Sequence, residues 1–334
     1  MKKVFPNLMI ASIFFGVLSS SANAAAIISN GTIQLGVDNL GQLNVPGGSP
    51  SPVSGTSYVG LRYLPTGNEA TSHGCLCEGW GVADAVLGVT GYANNDTGTF
   101  GLTLDSFISD ATKATSVVTA GGIFKVTHDF MPSVVDELYE VKVTIENISG
   151  ATTSDVRYRR TFDWDIEPTT FSEFVTIGGT ATASNVLLAT NNGFESSNPL
   201  SSNNPLLAGG VGDFTDLGPT DHGANFDFGF GSLAAGASKS FSIFYGGAAT
   251  ETDAFAALAA VGAEVYSFGQ PSNDPNGLGL VDSSGNPTNT FIFAFKGVGG
   301  VSVGDPKTTP EPASVLGLLA IGGLGFLGKK KQLV

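Results

Sequence analysis

DVRYRRTFDWDIE, residues 155–167, gives the clearest secondary-structure signal in this sequence. Successive side chains of a β-strand point to opposite faces, so the stretch separates into two sets of side chains. One face receives a mainly apolar set: Val156, Tyr158, Arg160, Phe162, Trp164 and Ile166. The other face receives a polar set: Asp155, Arg157, Arg159, Thr161, Asp163, Asp165 and Glu167. The alternation predicts a strand with one buried side and one solvent-facing side.

Further strand signals extend outward from this stretch in both directions. Residues 124–130 and 139–145 alternate in the same way, and 32–45 reads as an opening hairpin. Four later segments are also typical of strands: 171–179, 225–233, 239–247 and 289–300. Residues 250–264 differ, because capping-type Thr and Asp precede apolar residues at helical spacing, so one short helix is expected there.

Together these signals predict a mainly β protein, an antiparallel β-sandwich with one short helix near 250–264. The high content of Gly (46) and Phe (23) fits strands joined by tight turns. The order of hairpin, loop and long alternating strands is similar to the supersandwich of mutarotase-like carbohydrate-active domains. That resemblance implies the large two-sheet form of the sandwich.

The first 24 residues are predicted to be a cleavable signal peptide. Lys2 and Lys3 precede the apolar run 8–18, and Ala22-Asn23-Ala24 supplies small residues at the A-x-A positions Ala22 and Ala24. The apolar run is short for a membrane anchor. We therefore expect export, with cleavage after Ala24.

The other end of the chain is predicted to be a short membrane stop. Residues 313–328 carry no charge and are followed by Lys329, Lys330 and Lys331. As a helix this segment reaches only about 24 Å, against about 30 Å for the hydrocarbon core of a bilayer. Lysine stems can snorkel to the headgroups, and the cluster favours leaving that end in the cytoplasm.

Pro310-Glu311-Pro312, the apolar segment and the three lysines resemble, in that order, the PEP-CTERM sorting signal of bacteria. The resemblance implies an exosortase-type processing enzyme as partner. It also implies transient inner-membrane anchoring through the C-terminal helix, followed by release or attachment at the cell surface. The expected division of the chain is a signal peptide at 1–24, a β-sandwich body at 25–306 and a sorting signal at 307–334. The resemblance implies no catalytic activity for the body.

The charge of the body excludes some classes of partner. Residues 25–310 contain ten Lys and Arg against 28 Asp and Glu, a formal charge of −18. Such a field repels nucleic acids and anionic membrane surfaces, and it favours solubility and divalent cations. No nucleic-acid partner is expected.

The stretch TSHGCLCEGWGVAD, residues 71–84, holds both cysteines of the chain. In an oxidising compartment Cys75 and Cys77 can form a disulfide closing a very small ring. The alternatives are packed thiols, or a metal site together with His73 and Glu78. A structural zinc site normally requires a second pair of ligands, and no second Cys pair exists, so no metal is predicted here.

Asp163, Asp165 and Glu167 share one strand face at steps of about 6.6–7 Å, which allows three interpretations. Carboxylates at this separation suit an inverting glycosidase, and they could also bind calcium. The third interpretation is a solvated face whose acids pair with arginines such as Arg157 and Arg159. We expect the solvated face, with no cofactor and calcium as the alternative.

The function predicted from the sequence is therefore that of an exported, non-enzymatic protein associated with the cell envelope or extracellular matrix. The three histidines come with no nucleophile elbow, and no nucleotide-binding or metalloprotease motif is present in the sequence. The rival hypothesis is a carbohydrate-binding or carbohydrate-active module. It would act on polysaccharide through Trp80 or Trp164 and the acids of residues 163–167.

Overall fold

The computed structural model describes residues 25–304. This part of the chain folds into eighteen β-strands, one α-helix and one short 3₁₀ helix at Thr180–Thr182. The first nine strands are β1 Ala25–Ser29, β2 Ile33–Asp38, β3 Leu61–Tyr63, β4 Asn68–Glu69, β5 Gly79–Asp84, β6 Val89–Asn94, β7 Leu102–Ser109, β8 Ala114–Ala120 and β9 Phe124–Pro132. The next seven are β10 Leu138–Asn147, β11 Thr153–Trp164, β12 Glu173–Gly178, β13 Val186–Thr190, β14 Phe214–Thr220, β15 His222–Leu233 and β16 Ser238–Ala248. The helix α1 Glu251–Val261 precedes the last two strands, β17 Val265–Pro271 and β18 Thr290–Lys296.

Two large antiparallel sheets form the sandwich. The nine-stranded sheet has the order β14-β12-β17-β18-β16-β10-β9-β8-β7, and the five-stranded sheet has the order β13-β15-β11-β5-β6. Strand β11, which contains most of the stretch 155–167, lies at the centre of the five-stranded sheet between β15 and β5. The expectation of a mainly β, antiparallel sandwich is confirmed.

Aromatic side chains fill the space between the two sheets. Phe162 of β11 stacks on Phe293 of β18 with ring centroids 4.6 Å apart, and Phe226 of β15 meets Phe295 edge-on at 5.0 Å. Such pairs add about 0.5–1.5 kcal/mol each to the burial of their apolar area. The predicted apolar face of the stretch 155–167 therefore lies in the main core, as its alternation requires.

Helix α1 covers the outer face of the nine-stranded sheet. Its N-cap residue Thr250 accepts a hydrogen bond from the Asp253 N–H, and Gly262 ends it in the left-handed conformation. Leu258 packs into a second cluster with Phe244 of β16 and Ile292 of β18. This cover explains why β16 and β18 are apolar on both faces. The predicted helix at 250–264 is confirmed.

A small third sheet of order β1-β2-β3-β4 differs from the predicted opening hairpin. Strand β2 pairs with β1 and β3, whereas residues 43 and 45 make only isolated bridges, Val37 to Leu43 and Val45 to Val59. The predicted turn forms, since the Asp38 N–H donates to the Gln42 carbonyl, but residues 43–45 do not continue as the second strand of a hairpin. The local pattern could not reveal that β3, from residues 61–63, would occupy the edge of β2 that residues 43–45 needed.

Candidate functional site

The polar face of the stretch 155–167 is buried from Arg159 onward, which overturns the expectation of a solvated face. Asp163 is 1% exposed, and Asp165 and Glu167 are fully buried. The predicted arginine partners lie elsewhere. Arg157 pairs with Asp155 on its own strand, and Arg159 pairs with Asp227 of β15.

The first cover over this face is the loop 191–210. Arg159 donates to the backbone carbonyls of Ser196 (2.8 Å), Ser201 (3.0 Å) and Ser202 (3.1 Å), so it fastens the loop to the sheet. Gly193 packs directly on the strand, since a Cβ there would lie 2.7 Å from the Cα of Asp163. Polar residues on β11 are thus shielded by backbone from a distant part of the sequence.

The second cover is the loop 70–78, which holds the two cysteines. Cys75 and Cys77 form a disulfide with their Cα atoms 5.1 Å apart, and Leu76 between them has a positive φ of 53°. The Ala70 carbonyl accepts a hydrogen bond of 2.7 Å from the Asp165 N–H. Because both sulfurs are bonded to each other, neither is available as a thiolate ligand for a metal.

Four carboxylates meet beneath these loops, and we call them the acidic cluster: Asp163, Asp165, Glu173 and Asp221. Asp163 ends β11 with Trp164, Asp165 follows it, Glu173 begins β12, and Asp221 is the one residue between β14 and β15. Strands β11 and β15 belong to the five-stranded sheet, while β12 and β14 belong to the nine-stranded sheet. The cluster therefore lies where the chain passes twice from one sheet to the other.

Most oxygens of the acidic cluster accept no hydrogen bond of ordinary geometry from residues 25–304. This holds for both carboxylate oxygens of Asp165, for Oδ1 of Asp163 and of Asp221, and for Oε2 of Glu173. The Cys75 Sγ lies 3.3 Å from Asp163 Oδ2, but a disulfide sulfur carries no hydrogen to donate. Burying a carboxylate without partners is costly, so this arrangement requires a proton, water or a cation to balance it.

The electrostatics of the acidic cluster follow from burial and mutual repulsion. Burial, and then the charges of Asp165, Asp221 and Glu173, raise the pKa of Asp163 well above its usual range. Burial raises the pKa of Asp165 to about 8, although the charge of His73 opposes this. Burial and the charge of Asp165 raise the pKa of Glu173 to about 9. Burial also raises the pKa of Asp221.

Glu167 does not belong to this cluster, although the sequence grouped it with Asp163 and Asp165. Its carboxylate accepts hydrogen bonds from the Ser51 hydroxyl (2.6 Å) and the Glu69 N–H (2.9 Å), and His73 Nε2 lies 3.2 Å away. Burial raises the pKa of Glu167, but these partners outweigh it and leave the pKa lowered overall. Glu167 is thus a satisfied structural carboxylate that holds the loops of residues 51–54 and 69–73.

Both tryptophans named by the carbohydrate hypothesis lie in the core. Trp80 and Trp164 are fully buried; their ring nitrogens donate to the Leu40 carbonyl (2.8 Å) and to the Ser267 hydroxyl (3.1 Å). A ring in this position has no free face on which a sugar could stack. The carbohydrate hypothesis is therefore left without Trp80 and Trp164 as sugar-binding residues.

Sequence reasoning missed Glu173 and Asp221 as members of the cluster. Glu173 begins the strand that follows β11, and Asp221 lies between β14 and β15, so no spacing rule links these positions to Asp163. The only signal in the sequence was that acids stand at the ends of segments with strand character, as in Asp221 directly before His222.

A comparison with protein-family models found a match at the C-terminal end, outside the described residues. The PEP-CTERM protein-sorting motif matches residues 308–331. The chain carries a PEP-CTERM sorting motif. The match includes all six sorting residues predicted from the sequence, Pro310, Glu311, Pro312, Lys329, Lys330 and Lys331. The motif implies export and processing by an exosortase through a membrane-associated C-terminal signal.

No curated protein matched the chain. Among solved structures, a galactose mutarotase related enzyme from Lactobacillus acidophilus is similar at 10% identity and a TM-score of 0.29. The similarity covers 84% of this chain and 93% of that one. A likeness this weak carries no argument about function.

Two terminal predictions fall outside the part of the chain that the structure describes. These are the signal peptide with its cleavage residues Ala22 and Ala24, and the apolar helix at 313–328. Within residues 25–304, no helix is both long and apolar enough to span a bilayer.

Proposed function

We propose that this protein is an exported, non-enzymatic β protein that an exosortase processes and that is delivered to the cell surface or extracellular matrix. The observation that carries the proposal is the PEP-CTERM motif at residues 308–331. Because the motif is a sorting signal for export, it supports a function outside the cytoplasm.

The other end of the chain supports the same route. A basic start, an apolar run and the small residues Ala22 and Ala24 are the three parts of a secretory signal. In this proposal the mature body begins at residue 25. The Cys75–Cys77 disulfide fits an oxidising compartment.

A non-enzymatic role for the body rests on the inaccessibility of its acids. Asp163 and Asp165 are shielded by the loops 70–78 and 191–210, so a substrate could not reach them without displacing one loop. A glycosidase needs its two carboxyl groups on either side of an accessible glycosidic bond. The body is better suited to a structural or adhesive role.

Cell fractionation of a bacterium that has an exosortase tests this function. The full chain should reach the surface or medium, and it should stay with the inner membrane when the exosortase gene is deleted. A Glu311→Gln variant should behave like that deletion, whereas Glu264→Gln, in the body, should leave delivery unchanged. Equal distribution of wild type and Glu311→Gln would contradict the proposal. Specific binding to one glycan on an array, with cleavage of that glycan, would favour the carbohydrate hypothesis instead.

A further inference from the structure

We propose that the acidic cluster binds one Ca²⁺ ion, with Asp163, Asp165 and Asp221 as ligands and Glu173 beside them. This inference concerns the body alone, and it does not depend on how the tail is processed.

The geometry of three carboxylates supports the site. One oxygen each of Asp163, Asp165 and Asp221 lies within 4.8 Å of the other two. Ca²⁺ binds oxygen at about 2.3–2.6 Å, so two ligands on opposite sides of the ion can be up to about 5 Å apart. Oxygens this close together can surround one ion after small side-chain rotations, without movement of the backbone.

The second observation is the state of Asp165. This side chain is fully buried, yet neither of its oxygens accepts a hydrogen bond of ordinary geometry from residues 25–304. One of its oxygens lies within 4.8 Å of a carboxylate oxygen of Asp163 and of one of Asp221. Carboxylates placed to accept from protein groups would be satisfied, as Glu167 is. Convergence of unsatisfied oxygens on one point is typical of a cation site.

The chemistry of the donors selects calcium among the common cations. The ligands are carboxylate oxygens, which hard cations prefer, whereas zinc favours thiolate and imidazole. The two sulfurs near Asp163 are joined in a disulfide. Mg²⁺ usually keeps several waters and uses only one or two carboxylates, so a set of three or four favours Ca²⁺.

The position of the site suggests what the ion does. Asp163 and Asp165 are fixed by the end of β11, and Asp221 by the crossing from β14 to β15. An ion held by these residues would connect the two sheets at one end of the sandwich. Asp221 is only partly buried, so it marks the side from which an ion could enter.

Titration calorimetry of the full chain with calcium chloride, after EDTA treatment and dialysis, tests the proposal. We expect one site with a dissociation constant at or below about 10⁻³ M, the weak limit for extracellular calcium modules. The melting temperature should rise with calcium concentration, because the ion binds the folded state. Magnesium chloride and zinc chloride serve as comparison titrants, and both should bind more weakly.

Three variants locate the site. Asp165→Asn and Asp221→Asn should each weaken calcium binding at least about tenfold, the smallest loss usual even for groups that only support a metal ligand. Asp136→Asn removes one charge at an exposed position and should leave binding unchanged. Far-UV circular dichroism checks the fold of each variant. If Asp165→Asn does not fold, the partly exposed Asp221→Asn decides the question.

Several results would overturn the proposal. One is the absence of both heat and a melting-temperature rise up to about 10 mM calcium, ten times the weakest expected constant. Another is undiminished binding in Asp221→Asn. Tighter binding of zinc than of calcium, appearing only after reduction of the disulfide, would assign the site to the cysteines instead.

Discussion

At the scale of single residues, the buried ion pair of Arg160 and Glu78 shows how charge is accommodated inside the sandwich. Both side chains are fully buried and in direct contact. Glu78 also accepts hydrogen bonds from the Leu43 N–H (2.6 Å) and the Tyr245 hydroxyl (3.0 Å), and Arg160 donates to the Gly41 carbonyl (3.2 Å). Every charged atom of the pair has a partner, in contrast to the acidic cluster.

Arg160→Met should therefore destabilise the protein strongly. Removing one member of a buried pair leaves the other charge without compensation, which costs about 3–5 kcal/mol in the free energy of unfolding. Arg157→Met on the same strand is the matched control, because its ion pair is partly exposed and worth at most about 1 kcal/mol. Chemical denaturation of both variants measures the difference. Equal losses of stability would show that Glu78 is not held as a buried carboxylate.

His128 provides a pH-dependent test at the same scale. Burial and the charge of Arg160 hold the pKa of His128 well below its usual range. Its ring packs on Trp80 at 4.5 Å, and its Nε2 lies 3.0 Å from the Tyr158 hydroxyl. The folded protein thus keeps this ring neutral at pH values where the unfolded chain binds a proton.

The direction in which stability changes with pH follows from the number of protons that each state binds. Below about pH 6.5 the unfolded state takes up a proton that folded His128 does not, so stability falls with pH by up to about 1.4 kcal/mol per unit. In a His128→Gln variant this contribution is missing. The difference in unfolding free energy between wild type and variant should shrink as pH falls from 7 toward 4.5. A difference that stays constant over this range would mean that folded His128 takes up its proton over the same pH range as the unfolded chain.

At the scale of elements, the loop 191–210 explains why acidic residues on β11 are buried. Its attachment depends on Arg159, whose guanidinium reaches Asp227 with Nε at 2.6 Å and Nη2 at 2.9 Å while donating to three loop carbonyls. These contacts depend on the planar guanidinium group of Arg159, whose arrangement of N–H donors a lysine side chain cannot reproduce.

Arg159→Lys should loosen this loop while keeping the charge. Hydrogen exchange at residues 196–204 should become faster, and the variant should lose about 1.5–3 kcal/mol, the range for hydrogen bonds to charged groups. Arg157→Lys, two residues earlier on the strand, should leave exchange in the loop unchanged. Identical exchange in Arg159→Lys and wild type would show that other contacts hold the loop.

Prediction from the sequence succeeded for individual strands and for the helix, but it failed for the loops that cover them. The alternation in β11 and the capping Thr250 of α1 are local signals, and both gave the observed structure. The burial of Asp163 and Asp165 depends on two covering loops from other parts of the chain. A two-residue period shows which side chains share a face, but it does not show what covers that face. Glu173 and Asp221 were missed for the same reason.

At the scale of the whole molecule, two features set the behaviour of the protein. The sorting motif at 308–331 directs the chain out of the cytoplasm, and the formal charge of −18 on residues 25–310 keeps the body apart from nucleic acid and anionic lipid. The acidic cluster lies at one end of the sandwich, between the two sheets. The proposed calcium ion would join the two sheets at that end.

The most direct test of the sorting account is the intact mass of the protein recovered from the cell surface. Cleavage at both ends should leave a chain that begins at Ala25 and lacks the apolar segment and the lysines 329–331. A triple variant with Lys329, Lys330 and Lys331 replaced by Gln should retain the segment 313–328 and stay in the inner membrane. A surface protein whose mass still includes residues 313–331, with the same mass pattern in the triple variant, would contradict the account.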